Sequence, residues 1–111
     1  MTTVWYRVRD LDRARAFYRD VLGFREVFVD FDDGWSRLTH GAMEIALAQG
    51  EPDESGGVAH VDVEDVKSDA ERLRADGVEV GVVLELHGQI RIVDVFDSDG
   101  NRIQLAQSLT E

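Results

Sequence analysis

The segment IALAQ at residues 45–49 recurs as IQLAQ at residues 103–107, 58 positions later, and the two copies differ only at Ala46 and Gln104. Two further pairs of landmarks recur at almost the same offset: Asp10 with Asp65, 55 positions apart, and Gly23 with Gly77, 54 positions apart. An offset that stays nearly constant along a chain indicates an internal repeat. The sequence therefore predicts two modules of the same architecture.

The first half of the chain is predicted to fold as a strand, a helix and three more strands. VWYRV at residues 4–8 alternates apolar and polar side chains, and Asp10 can cap a helix that ends at Gly23. The later strands, REVFVD, WSRLT and AMEIALA, are joined by hairpin turns at residues 32–34 and 40–41. The helix is expected to pack on the sheet through one apolar face, made of Leu11, Ala14, Tyr18, Val21 and Leu22.

The second half repeats this order of elements. VAHVDV is a predicted strand, Asp65 a helix cap, and Gly77 the end of a helix whose apolar stripe is Val66, Ala70 and Leu73. Three strands follow, VEVGVVLEL, QIRIVDVF and RIQLAQ, with turns at residues 87–88 and 97–101. The fold class is α+β, with two βαβββ modules related by a pseudo-twofold repeat. Residues 1–111 form one domain, comprising module one at 1–48, a linker at 49–57 and module two at 58–111.

Composition excludes several classes of partner. Asp and Glu outnumber Lys and Arg by 23 to 12, and the formal net charge is −11, so nucleic acid and anionic membrane surfaces are unsuitable partners. The acidity suits either a solvated surface or a cationic ligand. There is no cysteine, hence no disulfide or thiolate metal site, and no signal-peptide or membrane-spanning pattern. We expect a cytoplasmic protein.

Two motifs carry a resemblance to a known family. VRDLDRARAFYRDVLGF resembles the opening motif of the vicinal oxygen chelate superfamily, which includes glyoxalase I, extradiol dioxygenases, fosfomycin-resistance enzymes and bleomycin-binding proteins. VFDSDGNRIQLAQ is similar to its closing motif DPDGN-x-x-E-L, with Ser98 where proline usually stands. The resemblance implies two βαβββ modules whose mixed sheets curve into an open barrel, usually within a homodimer. It also implies that ligands bind in the concave face.

Period-two alternation divides the first and last strand of each module into two sets of side chains. One set is apolar and is expected to pack under the helices: Val4, Val8, Ile45, Leu47, Val61, Val63, Ile103 and Leu105. The other set is mixed, and it would line the cavity that the resemblance implies; on residues alone it would equally suit a solvated outer face. From the mixed set we predict a ligand-binding site that consists of Trp5, Arg7, Glu44, His60, Asp62, Arg102 and Gln104.

In the metal-dependent members of the vicinal oxygen chelate superfamily, the first and last strand of each module each contribute one His, Glu or Gln to a divalent ion. The matching positions here are Thr3, Ala46, Val58 and Gln104, which offer at most one good donor. The sequence therefore predicts neither a metal nor another cofactor. The alternative is a shifted metal site made of Glu44, His60 and Gln104. His40 and His87 each precede a glycine and are predicted as turn residues that tolerate positive φ.

Four functions remain open from the sequence. The first is a metal-free protein that binds a small cationic or aromatic molecule, resembling the bleomycin-resistance branch. The second is a metal-dependent lyase, isomerase or dioxygenase of the glyoxalase type, using the shifted ligands. The third is a cofactor-independent enzyme in which His60 or Glu44 moves a proton, and the fourth is a structural module whose cavity is filled by Trp5. A homodimer is predicted as well, because an open barrel leaves exposed strand edges.

Overall fold

The computed structural model describes residues 3–52 and 57–110 of the 111-residue chain. Within those ranges the chain forms nine strands, two α-helices and one π-helical turn. In order these are β1 (Thr3–Val8), α1 (Leu11–Ala16), the π-helical turn (Phe17–Val21), β2 (Arg25–Asp30), β3 (Trp35–His40), β4 (Met43–Gln49), β5 (Ala59–Asp62), α2 (Val66–Ala75), β6 (Glu79–Val80), β7 (Leu84–Leu86), β8 (Ile90–Phe96) and β9 (Arg102–Ser108).

The strands form two sheets of mixed direction. The first has the order β1-β4-β3-β2 and the second the order β5-β9-β8-β6, with β7 also pairing β8. In each sheet the first strand of the module runs parallel to the last, and the other pairs are antiparallel. The predicted α+β fold of two βαβββ modules is confirmed. Neither α-helix in the described ranges is long and apolar enough to cross a membrane.

The repeated Asp and Gln residues accept hydrogen bonds from backbone N–H groups at the start of each helix. Asp10 and Asp65 each accept a hydrogen bond at 3.1 Å from the backbone N–H three residues further on, as N-cap side chains do. Gln49 and Gln107, the last residues of the two recurring segments, each accept a hydrogen bond from the first backbone N–H of α1 and α2, at 3.4 and 3.0 Å. The glutamine of IALAQ and IQLAQ therefore ties each closing strand to its helix.

The core lies between each helix and its sheet. The predicted apolar set of the sheets is buried, except that Val63 is only partly buried. Of the predicted helix faces, Val21 and Leu22 are partly buried, and the remaining members are fully within the core: Leu11, Ala14, Tyr18, Val66, Ala70 and Leu73. The division of each strand into a helix-facing and an opposite set is confirmed.

Three local predictions are wrong. The first helix does not continue as an α-helix to Gly23 but widens into the π-helical turn, where the N–H of Leu22 bonds to the carbonyl of Phe17 at 3.2 Å. VEVGVVLEL is not one strand, because residues 81–83 leave the ladder between β6 and β7. The strand predicted from residue 58 begins at Ala59, so Val58 lies before it.

The predictions for the turns and the linker have mixed outcomes. His87 has a positive φ of 54°, as predicted. His40 does not: it is the last residue of β3, and its ring packs against Phe24 with centroids 5.3 Å apart. The turn is made instead by the next two residues, with Gly41 at φ 59°. Of the predicted linker, Gln49 belongs to β4, and residues 53–56 lie outside the described part of the chain.

A buried polar network joins the two modules. Tyr6 of β1 accepts a hydrogen bond from the N–H of Ala59 in β5 at 2.8 Å, and its hydroxyl donates to the carbonyl of Arg102 in β9. Tyr18 of the π-helical turn donates to Asp97 at 2.8 Å, across 79 residues of sequence. These contacts link β1 and the π-helical turn of the first module to β5, β9 and Asp97 of the second. The molecule measures 46 × 30 × 24 Å.

The closing motif supplies the rest of this network. One carboxylate oxygen of Asp97 accepts from the backbone N–H groups of Asp99 and Asn101 at 2.9 Å, and the other accepts from the Asn101 amide at 2.9 Å as well as from Tyr18. The Asn101 amide also donates to the carbonyl of Arg7 at 3.0 Å. The DSDGN turn therefore has a structural role, which is to hold the second module against the first.

Candidate functional site

The side of each sheet that faces away from α1 and α2 is called the open face below. On the first sheet, the strand register aligns Trp5 with Ala46 and Arg37 in one row, and Arg7 with Ala48 and Trp35 in the next. On the second sheet, it aligns His60 with Gln104 and Asp94, and Asp62 with Ala106 and Ile92. The predicted mixed set therefore lies on the open faces of both sheets.

Three aromatic rings form an exposed cluster on the open face of the first sheet. The Trp5 and Trp35 ring centroids are 5.6 Å apart, and those of Phe28 and Trp35 are 4.9 Å apart. Trp5 is 50% exposed and Phe28 is 42% exposed. Rings at these distances present a continuous apolar surface on which a planar molecule can stack. We call Trp5, Trp35 and Phe28 the aromatic cluster.

Two ionisable groups on the open face of the first sheet, Arg37 and Glu44, form an ion pair. The guanidinium Nε of Arg37 lies 3.1 Å from Oε1 of Glu44, whose side chain is only 17% exposed. Both residues flank Ala46, which is completely buried. Glu44 is therefore a partner of Arg37 in this structure rather than a carboxylate that faces a ligand alone.

The open face of the second sheet carries a connected polar row. Nδ1 of His60 lies 3.2 Å from Oε1 of Gln104, and the Gln104 amide nitrogen donates to Oδ1 of Asp94 at 3.5 Å. The other Asp94 oxygen is 3.6 Å from the Arg102 guanidinium, and Asp62 lies 3.7 Å from Nε2 of His60. We call His60, Gln104 and Asp94 the polar row. The row and its neighbours Asp62 and Arg102 bring together four of the seven predicted site residues, namely His60, Asp62, Arg102 and Gln104.

Trp5 and His60 occupy equivalent places in the two modules. Each lies on the edge strand that opens its module, and each is paired with the changed position of the recurring segment, Ala46 for Trp5 and Gln104 for His60. The changed position of IALAQ and IQLAQ therefore lies beside an aromatic residue on the open face of the first sheet and beside a hydrogen-bonding residue on that of the second.

Sequence reasoning missed Trp35, Phe28 and Asp94. It considered only the first and last strand of each module, whereas these residues belong to β2, β3 and β8. Alternation within WSRLT and QIRIVDVF could have assigned Trp35 and Asp94 to the open face. The position of Phe28 on the open face could not be predicted from alternation, because a bulge between Glu26 and Phe28 shifts the register of β2.

The residues at the family's metal positions do not fit a divalent ion. Ala46 and Val58 have no donor atom, and the Gln104 amide already contacts His60 and Asp94. In the described ranges, no three His, Asp or Glu side chains are grouped as metal ligands would be. In the shifted set, Glu44 is held by Arg37.

Two cavities in the described part of the chain lie away from the open faces. One, of about 590 Å³, is bounded by α1, the π-helical turn, residues 76–79 and the turn at residues 96–100. The other, of about 400 Å³, lies between the start of α1 and the turn at residues 31–34. Neither is lined by any of the seven predicted site residues.

Two βαβββ modules, each with its first and last strands paired in parallel, define a vicinal oxygen chelate fold. The family model of the Glyoxalase/Bleomycin resistance protein/Dioxygenase superfamily matches residues 2–105, and the chain belongs to this superfamily. Among curated proteins, no sequence matches the chain significantly. The predicted family is thus confirmed by a match that spans almost the whole chain.

Solved structures share the fold at low sequence identity. The fosfomycin resistance protein FosX from Listeria monocytogenes, complexed with Mn(II) and sulfate, has a TM-score of 0.79 and 18% identity, over 97% of this chain and 89% of that one. Lactoylglutathione lyase from Agrobacterium tumefaciens has a TM-score of 0.76 and 21% identity, over 98% and 93%. A bleomycin resistance determinant encoded on the transposon Tn5 has a TM-score of 0.75 and 21% identity, over 97% of each chain.

Proposed function

We propose that this protein binds a small molecule with an aromatic body and a cationic group on its open faces, without a metal ion. The aromatic cluster is the observation that carries this proposal. Soluble proteins bury most of their large aromatic surface, and an exposed group of rings such as Trp5 and Phe28, both in contact with Trp35, is typical of a binding surface. Trp5 at its edge, half exposed, offers the ring face on which a guest stacks.

The charges of the open face support the cationic part of the proposal. The side chain of Asp62 is 92% exposed, so its carboxylate is accessible to a ligand. Arg37 is already neutralised by Glu44, and Arg102 lies near Asp94. A carboxylate attracts a cation through its charge, and an aromatic ring attracts it through the cation–π interaction. The net charge of −11 raises the local concentration of such a guest.

The absence of suitable donors at the metal positions favours binding over metal-dependent catalysis. The likeness to the Tn5 bleomycin resistance determinant agrees with this choice, whereas lactoylglutathione lyase has the name of an enzyme and FosX is complexed with Mn(II). The alternative is a metal-dependent enzyme of the glyoxalase type. One observation favours this enzyme: two of the three shifted ligands are close together, since Nδ1 of His60 lies 3.2 Å from Oε1 of Gln104. Stoichiometric metal in the purified protein, lost on His60→Ala, would support this alternative.

Replacing Trp5 with leucine is expected to weaken binding of naphthylmethylammonium, a cationic aromatic probe, by about tenfold, because one stacking surface is lost. The measurement is isothermal titration calorimetry on protein treated with a chelator. Phe31→Leu is the matched control, since Phe31 is 66% exposed but stands outside the aromatic cluster. Equal affinity of the Trp5 and Phe31 variants would contradict the role of the cluster. No binding by any cationic aromatic probe would refute the proposed function.

We also propose that the protein is a homodimer and that the open faces contribute to the interface. Leu84 and Leu86 of β7 are 51% and 43% exposed, and their register partners Ile92 and Ile90 extend the same apolar surface. β7 is a three-residue strand that pairs only with β8 among the described strands. A second copy that covers this surface would remove both the exposed apolar area and the free edge.

Replacing Leu84 with glutamate is expected to dissociate the dimer, because it places a charge in the apolar surface. Sedimentation velocity should give twice the monomer mass for the wild type at micromolar concentration, and a monomer for this variant. Ser98→Glu, which adds the same charge on an exposed turn, should leave the dimer intact. A wild-type monomer at micromolar concentration would be incompatible with the proposal. Cytoplasmic location stays a prediction.

A further inference from the structure

The polar row fixes the orientation of the Gln104 amide. Asp94, as an ionised carboxylate beside Arg102, can only accept hydrogen bonds, so the group that approaches it at 3.5 Å must be the amide NH₂ of Gln104. The amide oxygen then points the other way, towards His60, and lies 3.2 Å from its Nδ1. This orientation is the only one in which both contacts of Gln104 pair a donor with an acceptor.

The orientation of Gln104 decides which nitrogen of His60 carries the proton. An amide oxygen accepts and does not donate, so Nδ1 of His60 must hold a hydrogen. In the neutral imidazole, Nε2 is then left with its lone pair, and it can only accept. The side chain of His60 is 48% exposed, so this nitrogen is accessible to a ligand on the open face.

Asp62 lies close to Nε2 but does not hydrogen-bond to it. Its Oδ1 is 3.7 Å away, beyond hydrogen-bonding distance, and its side chain is almost entirely exposed. Two acceptors, the Nε2 lone pair and the Asp62 carboxylate, therefore lie side by side with no donor between them in the described part of the chain. One N–H group of a ligand can satisfy either acceptor, and an ammonium can satisfy both.

We propose that His60 recognises an N–H donor of the guest through Nε2, so that the preferred guest is a primary or secondary ammonium and not a quaternary one. The inference rests on the proposed function, since it assigns the cationic group of the same guest. His60 would then determine the specificity for the guest, and Gln104 and Asp94 would be positioning residues that set its tautomer.

The tautomer can be measured without any ligand. In ¹⁵N-correlated spectra of the imidazoles, at a pH where they are neutral, His60 should show a protonated Nδ1 and an unprotonated Nε2. The exposed His87 serves as an internal control with the ordinary mixture of tautomers. Gln104→Leu should return His60 to a mixture like that of His87, and Asp94→Asn should weaken the preference, because the amide of Gln104 can then turn. A wild-type His60 that carries its proton on Nε2 would overturn the inference.

Binding of two matched probes tests the specificity. Naphthylmethylammonium and trimethyl(naphthylmethyl)ammonium have the same charge and the same ring system, but only the first has N–H donors. The wild type should bind the first about tenfold more tightly, as expected for a hydrogen bond to a charged group. His60→Leu should abolish this preference, whereas His87→Leu should retain it.

The outcomes separate the two proposals. Equal affinity of the wild type for both probes would overturn the inference about His60 and leave the proposed function intact. If neither probe binds while His60 shows the expected tautomer, the proposed function fails, and the assignment of the guest fails with it. A preference for the primary ammonium that disappears in His60→Leu supports both.

Discussion

Replacing Asp97 with alanine is expected to lower the free energy of unfolding by about 3 kcal/mol or more, because a buried carboxylate that satisfies several donors is lost. Asp97 is 7% exposed and accepts four hydrogen bonds, two from backbone N–H groups, one from Tyr18 and one from Asn101. Without it, the Tyr18 hydroxyl remains buried with no acceptor. The contact between the modules is weakened at the same point.

Urea unfolding measures this effect, and thermal unfolding should show a midpoint lower by roughly 10–20 °C. In Asp97→Asn one oxygen still accepts from the backbone N–H groups, but the new NH₂ group faces the NH₂ group of Asn101, and both are donors. An intermediate loss of unfolding free energy is therefore expected. Ser98→Ala, one position further on and exposed, should be almost neutral. A loss below about 1 kcal/mol for Asp97→Ala would mean that the network does not hold the modules together.

Raising the pH from 10 to 12 is expected to remove roughly 2–3 kcal/mol of stability, because Tyr6 ionises near pH 10 in the unfolded chain but keeps its proton in the buried site of the folded one. Burial raises the pKa of Tyr6 from 10.0 to about 12, against the lowering effect of the Ala59 N–H. Burial, followed by the charge of Asp97, also raises the pKa of Tyr18. Since the folded-state pKa lies above the unfolded one, the contribution is complete below pH 10 and is lost as the pH approaches 12.

The measurement is the free energy of unfolding by urea at several alkaline pH values, together with tyrosinate absorbance of the folded protein. Tyr6 and Tyr18 are the only tyrosines, and Lys67 is the only lysine, so few other groups titrate in this range. Tyr6→Phe should be less stable at neutral pH, because the Ala59 N–H loses its acceptor, and should lose less stability above pH 10. Full tyrosinate formation in folded protein near pH 10 would contradict the burial of both hydroxyls.

The fold was readable from the sequence because its signals are local and repeated. Asp10 and Asp65 cap helices, and alternation in the first and last strands identified a set that is buried except for the partly buried Val63. The irregular features of the elements could not be predicted from the sequence. The π-helical turn at Phe17–Val21 adds an extra residue to a helix whose sequence pattern is ordinary, and it accompanies a tertiary contact, that of Tyr18 with Asp97.

The candidate site was predicted in part, and the reason for the gap is strand pairing. Sequence periodicity assigns a side chain to a face but does not say which strand lies beside it, so the contacts of Glu44 with Arg37 and of Gln104 with Asp94 were not foreseen. In regular alternation Phe28 would share the side of Glu26, which bonds to Arg15 of α1. The bulge in β2 turns Phe28 to the open face instead, beside Trp35.

A calorimetric titration tests whether the open faces bind a cationic aromatic molecule without a metal ion. Chelator-treated wild-type protein is titrated with naphthylmethylammonium, first alone and then with Mn²⁺ or Ni²⁺ present. We predict saturable binding whose affinity is the same in both conditions, because Ala46, Val58 and the engaged amide of Gln104 provide no site for the ion. Binding that appears only after the metal is added would contradict the account.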